Sequence, residues 1–387
     1  MWFLELGIGL LLIFRSLALF SSETADNLKS LGIMIIKQVL VVKETREGES
    51  RVALTPETIS LLSSRQYRVL VETDAGLKAG FTDSDYIKAG AEIFFLSSEG
   101  FPADTLMLRV KLPDKIREDL ENKLFRENTS MMGFLDPLDP FEADDHITAW
   151  QASRVTTFSV DLFKSLSVND PKNMQAAMSR IAGRLAFQDG LKRCNSESPV
   201  KLTVIGTGPA AFSAAFEAKK VGVSVQLFGR QERYRAELER AGILYRILPE
   251  PISQVEFIRR YLREETIVIT AARTPGVKAP LLIDEESLNV LPKGAVIIDL
   301  TVNEGGSVVG GKSDQVVVSN DVSIVHVSGY PKAEPKMASE AYAQCLIHLL
   351  AEVLSPQGEI CFKHELLKEC WVTHDGHRNP ALFSLSK

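Results

Sequence analysis

The chain has 387 residues, 45 % of them apolar and 24 % charged, with a formal net charge of −6. That length allows two ordinary domains, and the fractions are those of a globular protein in water. The acidic balance, unbroken by any basic run, argues against a nucleic-acid partner. Cys194, Cys345, Cys361 and Cys370 have neither C-x-x-C spacing nor a disulfide framework, so they read as reduced thiols of a cytosolic protein. His364, His374 and His377 lie near two of them in sequence, but the spacing matches no zinc pattern and no metal is expected.

Residues 1–20, MWFLELGIGLLLIFRSLALF, are mostly apolar but carry Glu5 and Arg15. A spanning helix needs about 20 apolar residues, which this stretch barely reaches. A secretory signal needs a positive start and a small-residue cleavage site. Glu5 replaces the first, and the second is indistinct. The segment therefore reads as lying outside the fold, with added residues from an upstream start codon and a membrane anchor as alternatives.

Residues 35–42 form a buried-strand run, and 43–55 (KETREGESRVALT) a charged loop holding Arg51. Thr55 as N-cap and Pro56 at N1 then open a helix to residue 64. An arginine in such a loop either holds a carboxylate or phosphate bidentately or pairs with a neighbouring acid. A strand at 67–72 is followed by a glycine-bearing loop and a short helix from Thr82, with Asp85 completing a capping-box variant. Strands are expected at 105–112, 131–135 and 155–160. Lys111 stands at the end of the first, where site residues gather in α/β folds. Asp136 opens the turn after the second, followed by Asp139. Strands alternating with helical stretches indicate a mainly parallel α/β domain. Residues 172–191 form an amphipathic helix suited to bridging two domains.

Residues 201–230, KLTVIGTGPAAFSAAFEAKKVGVSVQLFGR, then read as strand, glycine turn, helix and strand, a βαβ unit that binds a dinucleotide. Gly206 makes the tight turn and Gly208 lets the backbone approach a diphosphate. Pro209 sits at N1, Ala210 lies in the first turn, and Ala211 takes the third small position. An acid is expected to end the second strand on the adenosine ribose. Gly229 stands there instead, followed by Arg230, Arg233 and Arg235. The arginines read either as a site for a ribose 2′-phosphate, favouring NADP, or as a solvated basic helix start. A helix at 232–241 and strands at 266–271 and 295–300 follow. Their closing loops, Arg273-Thr274-Pro275-Gly276 and Thr301-Val302-Asn303-Glu304-Gly305-Gly306, should line the same crevice at the carboxyl ends of the strands. The glycine pair there either admits a cofactor or is a plain turn. A late amphipathic helix at 339–354 is of the kind that returns to complete an earlier domain.

The chain resembles the family joining alanine dehydrogenase to the NAD(H)-binding first domain of proton-translocating nicotinamide nucleotide transhydrogenase. The resemblance spans roughly residues 36–382. Its carriers are KETREGESRVALTPETI, ETDAGLKAGFTDSDYIKAGAEI, VIGTGPAAFSAAFEAKKVG, TIVITAARTPGVKAPLLI, LPKGAVIIDLTVNEGG and CWVTHDGHRNPAL. The last of these and the ITAARTPGVKAPLLI loop resemble the transhydrogenase alpha subunit more closely. The resemblance implies two Rossmann-like α/β domains with mainly parallel sheets around a cleft, the first discontinuous. Residues 36–164 with 331–387 would form one and 165–330 the dinucleotide-binding other, with 1–35 as an extension outside the match. It also implies a homodimer, NADP(H)-binding and membrane subunits as partners, and a cytoplasmic place peripheral to the inner membrane.

In alanine dehydrogenases an arginine before V-A-[IL]-T-P and a lysine in K-V-K-x-P hold the keto-acid, and Arg51 and Lys111 occupy those places. That family's catalytic histidine falls on Asp136, and its aspartate before the glycine pair falls on Asn303. Without the imidazole, amination of a keto-acid loses its acid/base. The transhydrogenase loop R-I-S-R-A-Q-S-x-D also departs, its second arginine, glutamine and aspartate becoming Val168, Asp170 and Asn173. MSRIAGRLAFQ leans back towards alanine dehydrogenases.

Three functions follow. The first is an NAD(H)- and possible NADP(H)-binding component of a transhydrogenase-like alpha subunit. In it Gly206, Gly208, Pro209, Ala210 and Ala211 take the diphosphate and Gly229 and Arg230 the ribose, while Ala271, Arg273, Gly305 and Gly306 border the nicotinamide. The second is a free-standing amino-acid or keto-acid dehydrogenase using Arg51, Lys111, Asp136 and Asn303. The third is a nucleotide-binding relative without chemistry.

Overall fold

The computed structural model describes residues 32–63, 67–126, 128–139, 143–272 and 278–383. Residues 1–31 and Arg273, on which expectations fell, lie outside these, as does the side chain of Asn303. The chain forms two compact units, one running to Ser167 and resuming at Tyr342, the other Val168–Ala341.

In chain order, the first unit supplies β1 (Ile33–Ile35), β2 (Gln38–Val41), β3 (Arg68–Glu72), β4 (Glu92–Phe94), β5 (Thr105–Lys111), β6 (Ser130–Phe134) and β7 (Thr156–Ser159). The second supplies β8 (Lys201–Ile205), β9 (Ser224–Gly229), β10 (Leu244–Ile247), β11 (Ile267–Thr270), β12 (Val296–Asp299), β13 (Val316–Ser319) and β14 (Val322–Val325). The first unit ends with β15 (Glu359–Cys361), β16 (Trp371–His374) and β17 (His377–Arg378).

The first unit's main sheet runs β17-β16-β7-β6-β5-β2-β3-β4, parallel from β7 to β4, with β16 and β17 antiparallel at one edge. β1 and β15 form a separate antiparallel ribbon. Every residue of β2, β6 and β7 is buried, as befits parallel strands covered on both faces. Leu40, Met107, Met131, Ile147 and Trp150 share one core. Thr82 and Asp85 form the expected capping box at the start of the helix Asp83–Lys88.

The second unit's sheet runs β10-β9-β8-β11-β12-β14-β13, parallel except for β13 at the edge. Both sheets thus carry the doubly wound order 3-2-1-4-5-6 over their parallel strands. The winding direction switches between β2 and β5 in one and between β8 and β11 in the other. Ligands bind at such points, outside the carboxyl ends of the strands. The mainly parallel Rossmann-like architecture expected from the sequence is observed. β10 and the β13–β14 hairpin were not expected: β10 and β13 are short and partly exposed, which weakens the apolar signal.

The helix Met174–Arg193 lies wholly in the second unit. Ala176, Gly183, Ala186 and Gly190 are buried along with Met178, Ile181 and Leu185, so it has more than one buried face rather than the single stripe expected. A Cβ on Gly183 would stand 1.9 Å from the Ala210 carbonyl oxygen, and one on Gly190 2.9 Å from Ile267 Cγ2. Small residues let this helix press against both the glycine turn and the sheet.

Candidate functional site

In the second unit the turn after β8 lies at the switch point. Gly206 has φ +132°, open to glycine but not to other residues. Its N–H donates to the Phe228 carbonyl at 2.8 Å, and the Ala271 N–H donates to the Ile205 carbonyl at 2.8 Å. A Cβ on Gly206 would meet the Ala271 carbonyl oxygen at 2.6 Å, so the backbones of the two adjacent strand ends touch here. Gly208 differs: extended at φ −87°, ψ 177°, it caps the helix Pro209–Lys220, and nothing lies within 4 Å of where its Cβ would be. The helix's first internal bond runs from the Phe212 N–H to the Gly208 carbonyl at 3.1 Å. The N–H groups of Ala210 and Ala211 precede it, and such amides have no partner within a helix. Ala211 is fully buried, as the third small position requires. An open backbone face, amide donors and a helix N-terminus at a switch point fit a diphosphate.

Asp299 organises the next strand end. Buried at the end of β12, its Oδ1 accepts from Thr270 Oγ1 at 2.8 Å, the Thr301 N–H at 2.9 Å and Thr301 Oγ1 at 2.7 Å. Its Oδ2 accepts from the Ser307 N–H at 2.8 Å. This carboxylate pins both ends of the loop whose tip is Gly305 (φ +99°) and Gly306 (φ +76°). At the end of β14, His326 Nδ1 accepts from the Asp314 N–H at 2.8 Å, and burial holds its pKa below the usual histidine value.

The first unit gathers charge at the corresponding edge. β5 outruns β2, so the amides of Val110 and Lys111 need other acceptors. Glu44 supplies them, Oε1 to Val110 at 2.6 Å and Oε2 to Lys111 at 3.3 Å. Burial pushes its carboxyl up to about 7, against the pull of Arg109. Arg51 is engaged by Glu49, Nε to Oε1 at 2.7 Å and Nη2 to Oε2 at 2.6 Å, with side-chain exposures of 5 % and 0 %.

Three neighbouring strand ends meet beside it. Lys111 Nζ donates to Asp136 Oδ2 at 2.7 Å, and the Asp136 N–H donates to Asp161 Oδ2 at 3.1 Å. The Ser159 hydroxyl donates to Asp161 Oδ1, and the two carboxyls are themselves hydrogen-bonded. Asp136 has φ +45°, an uncommon conformation that aspartate tolerates. Burial opposes the Asp136 carboxylate, but the Lys111 ammonium outweighs this and holds it below the usual range. Burial, followed by the Asp136 charge, pushes Asp161 up to about 7. Two close carboxyls cannot both ionise cheaply, so the pair holds one proton near neutrality. Such a group can give or take a proton at a developing oxyanion or amine.

Residues 40–182 match the family model described as alanine dehydrogenase/PNT, N-terminal domain, and residues 189–379 that described as alanine dehydrogenase/PNT, C-terminal domain. The chain belongs to the alanine dehydrogenase/PNT family. Among its relatives is the NAD(P) transhydrogenase subunit alpha of Cereibacter sphaeroides, 26 % identical over 86 % of this chain and 69 % of that one. The alanine dehydrogenase of Staphylococcus epidermidis is 28 % identical over 77 % of this chain and 82 % of that one. A solved transhydrogenase from Sinorhizobium meliloti superposes with a TM-score of 0.78 at 25 % identity, covering 89 % of this chain and 99 % of that one. A solved L-alanine dehydrogenase, 23 % identical, shares the fold with a TM-score of 0.76 over 90 % and 99 %. The family is one of NAD(P)-binding oxidoreductases.

In this alanine dehydrogenase/PNT chain, Gly206, Gly208, Ala271, Gly305 and Gly306 belong to turns and loops at the carboxyl edge of the second sheet, where Pro209, Ala210 and Ala211 open a helix. Gly229 ends β9 there, with exposed Arg230 following. Lys111 and Asp136 meet directly in the first unit, whereas Arg51 turns to Glu49. Sequence reasoning missed Asp161, Glu49, Glu44 and Asp299. Asp161 and Asp299 carried a usable signal, an acid at or just past the end of a buried strand. Glu44 and Glu49 had none beyond their place in a charged loop. Among the described residues no group of three or more His, Cys, Asp or Glu side chains is set to hold a metal ion, and no helix is long and apolar enough to cross a membrane.

Proposed function

We propose that this chain is the NAD(P)(H)-binding component of a transhydrogenase-like alpha subunit, acting as a homodimer beside NADP(H)-binding and membrane subunits. The open backbone face of Gly208 at the head of the helix Pro209–Lys220 carries this reading, together with relatives named as transhydrogenase alpha subunits. A nicotinamide coenzyme supplies the hydride when bound. The chain's own residues position it and keep water out. Gly206 makes the turn, Gly208, Ala210 and Ala211 meet the diphosphate with amides, and Gly229 and Arg230 face the ribose. Ala271, Arg273, Gly305 and Gly306 border the nicotinamide, with Asp299 fixing the loop that carries the glycine pair. The test mixes the full chain, NADH and the NADP(H)-binding domain of a transhydrogenase, with an NADP analogue of shifted absorbance as acceptor. Reduction of the analogue only when all three are present is expected. Tight NADH binding with no reduction would leave a nucleotide-binding relative without chemistry.

A second reading rests on the proton shared by Asp136 and Asp161 beside Lys111. Hydride exchange between coenzymes has no use for an acid/base, but reduction of a keto or imino acid does. In a free-standing dehydrogenase Lys111 would meet the substrate carboxylate, and the carboxyl pair would protonate the carbonyl oxygen. Turnover of NADH or NADPH with a keto-acid and ammonia, without any partner protein, would select this reading.

A further inference from the structure

We propose that the coenzyme site of the second unit selects a dinucleotide bearing a ribose 2′-phosphate, with Arg230 as the discriminating residue. The inference rests on the coenzyme site that both readings above share, and it favours the free-standing dehydrogenase, because exchange with an NADP(H)-binding partner needs NAD(H) here.

The position that would present an acid to a ribose 2′-hydroxyl is closed. A Cβ on Gly229 would stand 2.2 Å from Thr207 Cγ2 and 2.5 Å from Tyr245 Oη, with the tyrosine ring at 3.1 Å. Thr207 belongs to the glycine turn itself. Tyr245 is 2 % exposed, and its hydroxyl donates to the Gln231 carbonyl at 2.9 Å. An acid here would have to displace the Thr207 side chain and the buried, hydrogen-bonded Tyr245, so packing disfavours the missing carboxylate.

The charge around this strand end is also settled. Glu232 and Glu239 both pair with Arg235. Arg233 bonds Gln231 Oε1 at 3.1 Å and Tyr234 Oη at 2.8 Å, with its guanidinium over the Tyr234 ring. Gln231 is therefore held through both its carbonyl and its side chain. Arg230, exposed and directly after β9, makes no ion pair among the described residues. The strand end itself offers a 2′-hydroxyl no carboxylate, because Gly229 stands there. A 2′-phosphate finds a guanidinium able to bind it bidentately.

Calorimetric titration of the full chain with NADH and NADPH, and of the Arg230→Ala variant with both, tests this. The wild type should bind NADPH at least about tenfold tighter than NADH, with the NADPH affinity falling more steeply as salt rises. Arg230→Ala should remove the preference, bringing NADPH to the level of NADH. NADH bound as tightly as NADPH, or a preference that survives Arg230→Ala, overturns the proposal while leaving the coenzyme reading intact. Binding of neither coenzyme overturns both.

Discussion

Replacing Arg51 by methionine separates two roles for this arginine. The family resemblance assigns it to a substrate carboxylate, whereas the fold gives it a buried internal partner. Its Nε and Nη2 donate to the two oxygens of Glu49 at 2.7 and 2.6 Å, with 5 % and 0 % of the side chains exposed. An exposed ion pair would be worth about 0–1 kcal/mol. Removing one member of a buried pair leaves the other charge uncompensated and costs about 3–5 kcal/mol. Arg51→Met keeps most of the stem's volume, so the loss should come from the guanidinium removed from the buried Glu49 carboxylate. With a urea dependence of about 2–3 kcal/mol per molar for a unit of this size, the midpoint should fall by about 1–2 M. Trp150 and Trp371 both belong to the first unit, so tryptophan fluorescence follows its unfolding. The double variant Arg51→Met/Glu49→Leu should recover most of the loss, because apolar replacement of a whole buried pair is often neutral or stabilising. A loss under about 1 kcal/mol in Arg51→Met, with KM for a keto-acid raised, would refute the structural role and restore the arginine as a ligand.

Asp161→Asn tests the shared proton through pH. The folded chain keeps the Asp161 proton up to about 7 against an ordinary value of 3.8, so stability falls as pH rises through that window and levels above it. Asp136, held below its ordinary value, acts oppositely and only at the acid end. The variant should flatten the pH dependence of the first unit's urea midpoint between about pH 5 and 7, leaving the share due to Glu44; an unchanged slope would mean that Asp161 is ionised. Gly206→Ala forces a Cβ to 2.6 Å from the Ala271 carbonyl oxygen at φ +132°. It should abolish coenzyme binding by calorimetry and lower the melting temperature. Gly229→Asp, which would restore the ribose acid in sequence terms, should weaken both NADH and NADPH binding and destabilise the second unit, since Thr207 and Tyr245 fill the space; tighter NADH binding would show that the packing yields. Tyr342→Phe removes the hydroxyl donated to the buried Arg109 carbonyl at 2.9 Å and should cost about 1 kcal/mol in urea unfolding.

Features that depend on neighbours along the chain could be read directly from the residues. Apolar runs marked β5, β6, β8 and β11 within a residue or two, because a parallel strand buried on both faces leaves little choice of residue. The spacing Gly206, Gly208, Ala211 located the turn, because its backbone angles and close approaches are requirements on single residues. Thr82 with Asp85 fixed a helix start for the same local reason. The tertiary structure decided which charges meet. Asp136 and Asp161 are 25 residues apart in the chain and share a proton only because β6 lies beside β7. Lys111 reaches them because β5 lies on the other side of β6. The gap at Gly229 became meaningful only when β10, unforeseen in the sequence, brought Tyr245 against it. Electrostatic partners follow from the order of strands in a sheet, and that order is set by how each whole core packs within its own unit rather than by any one stretch of residues.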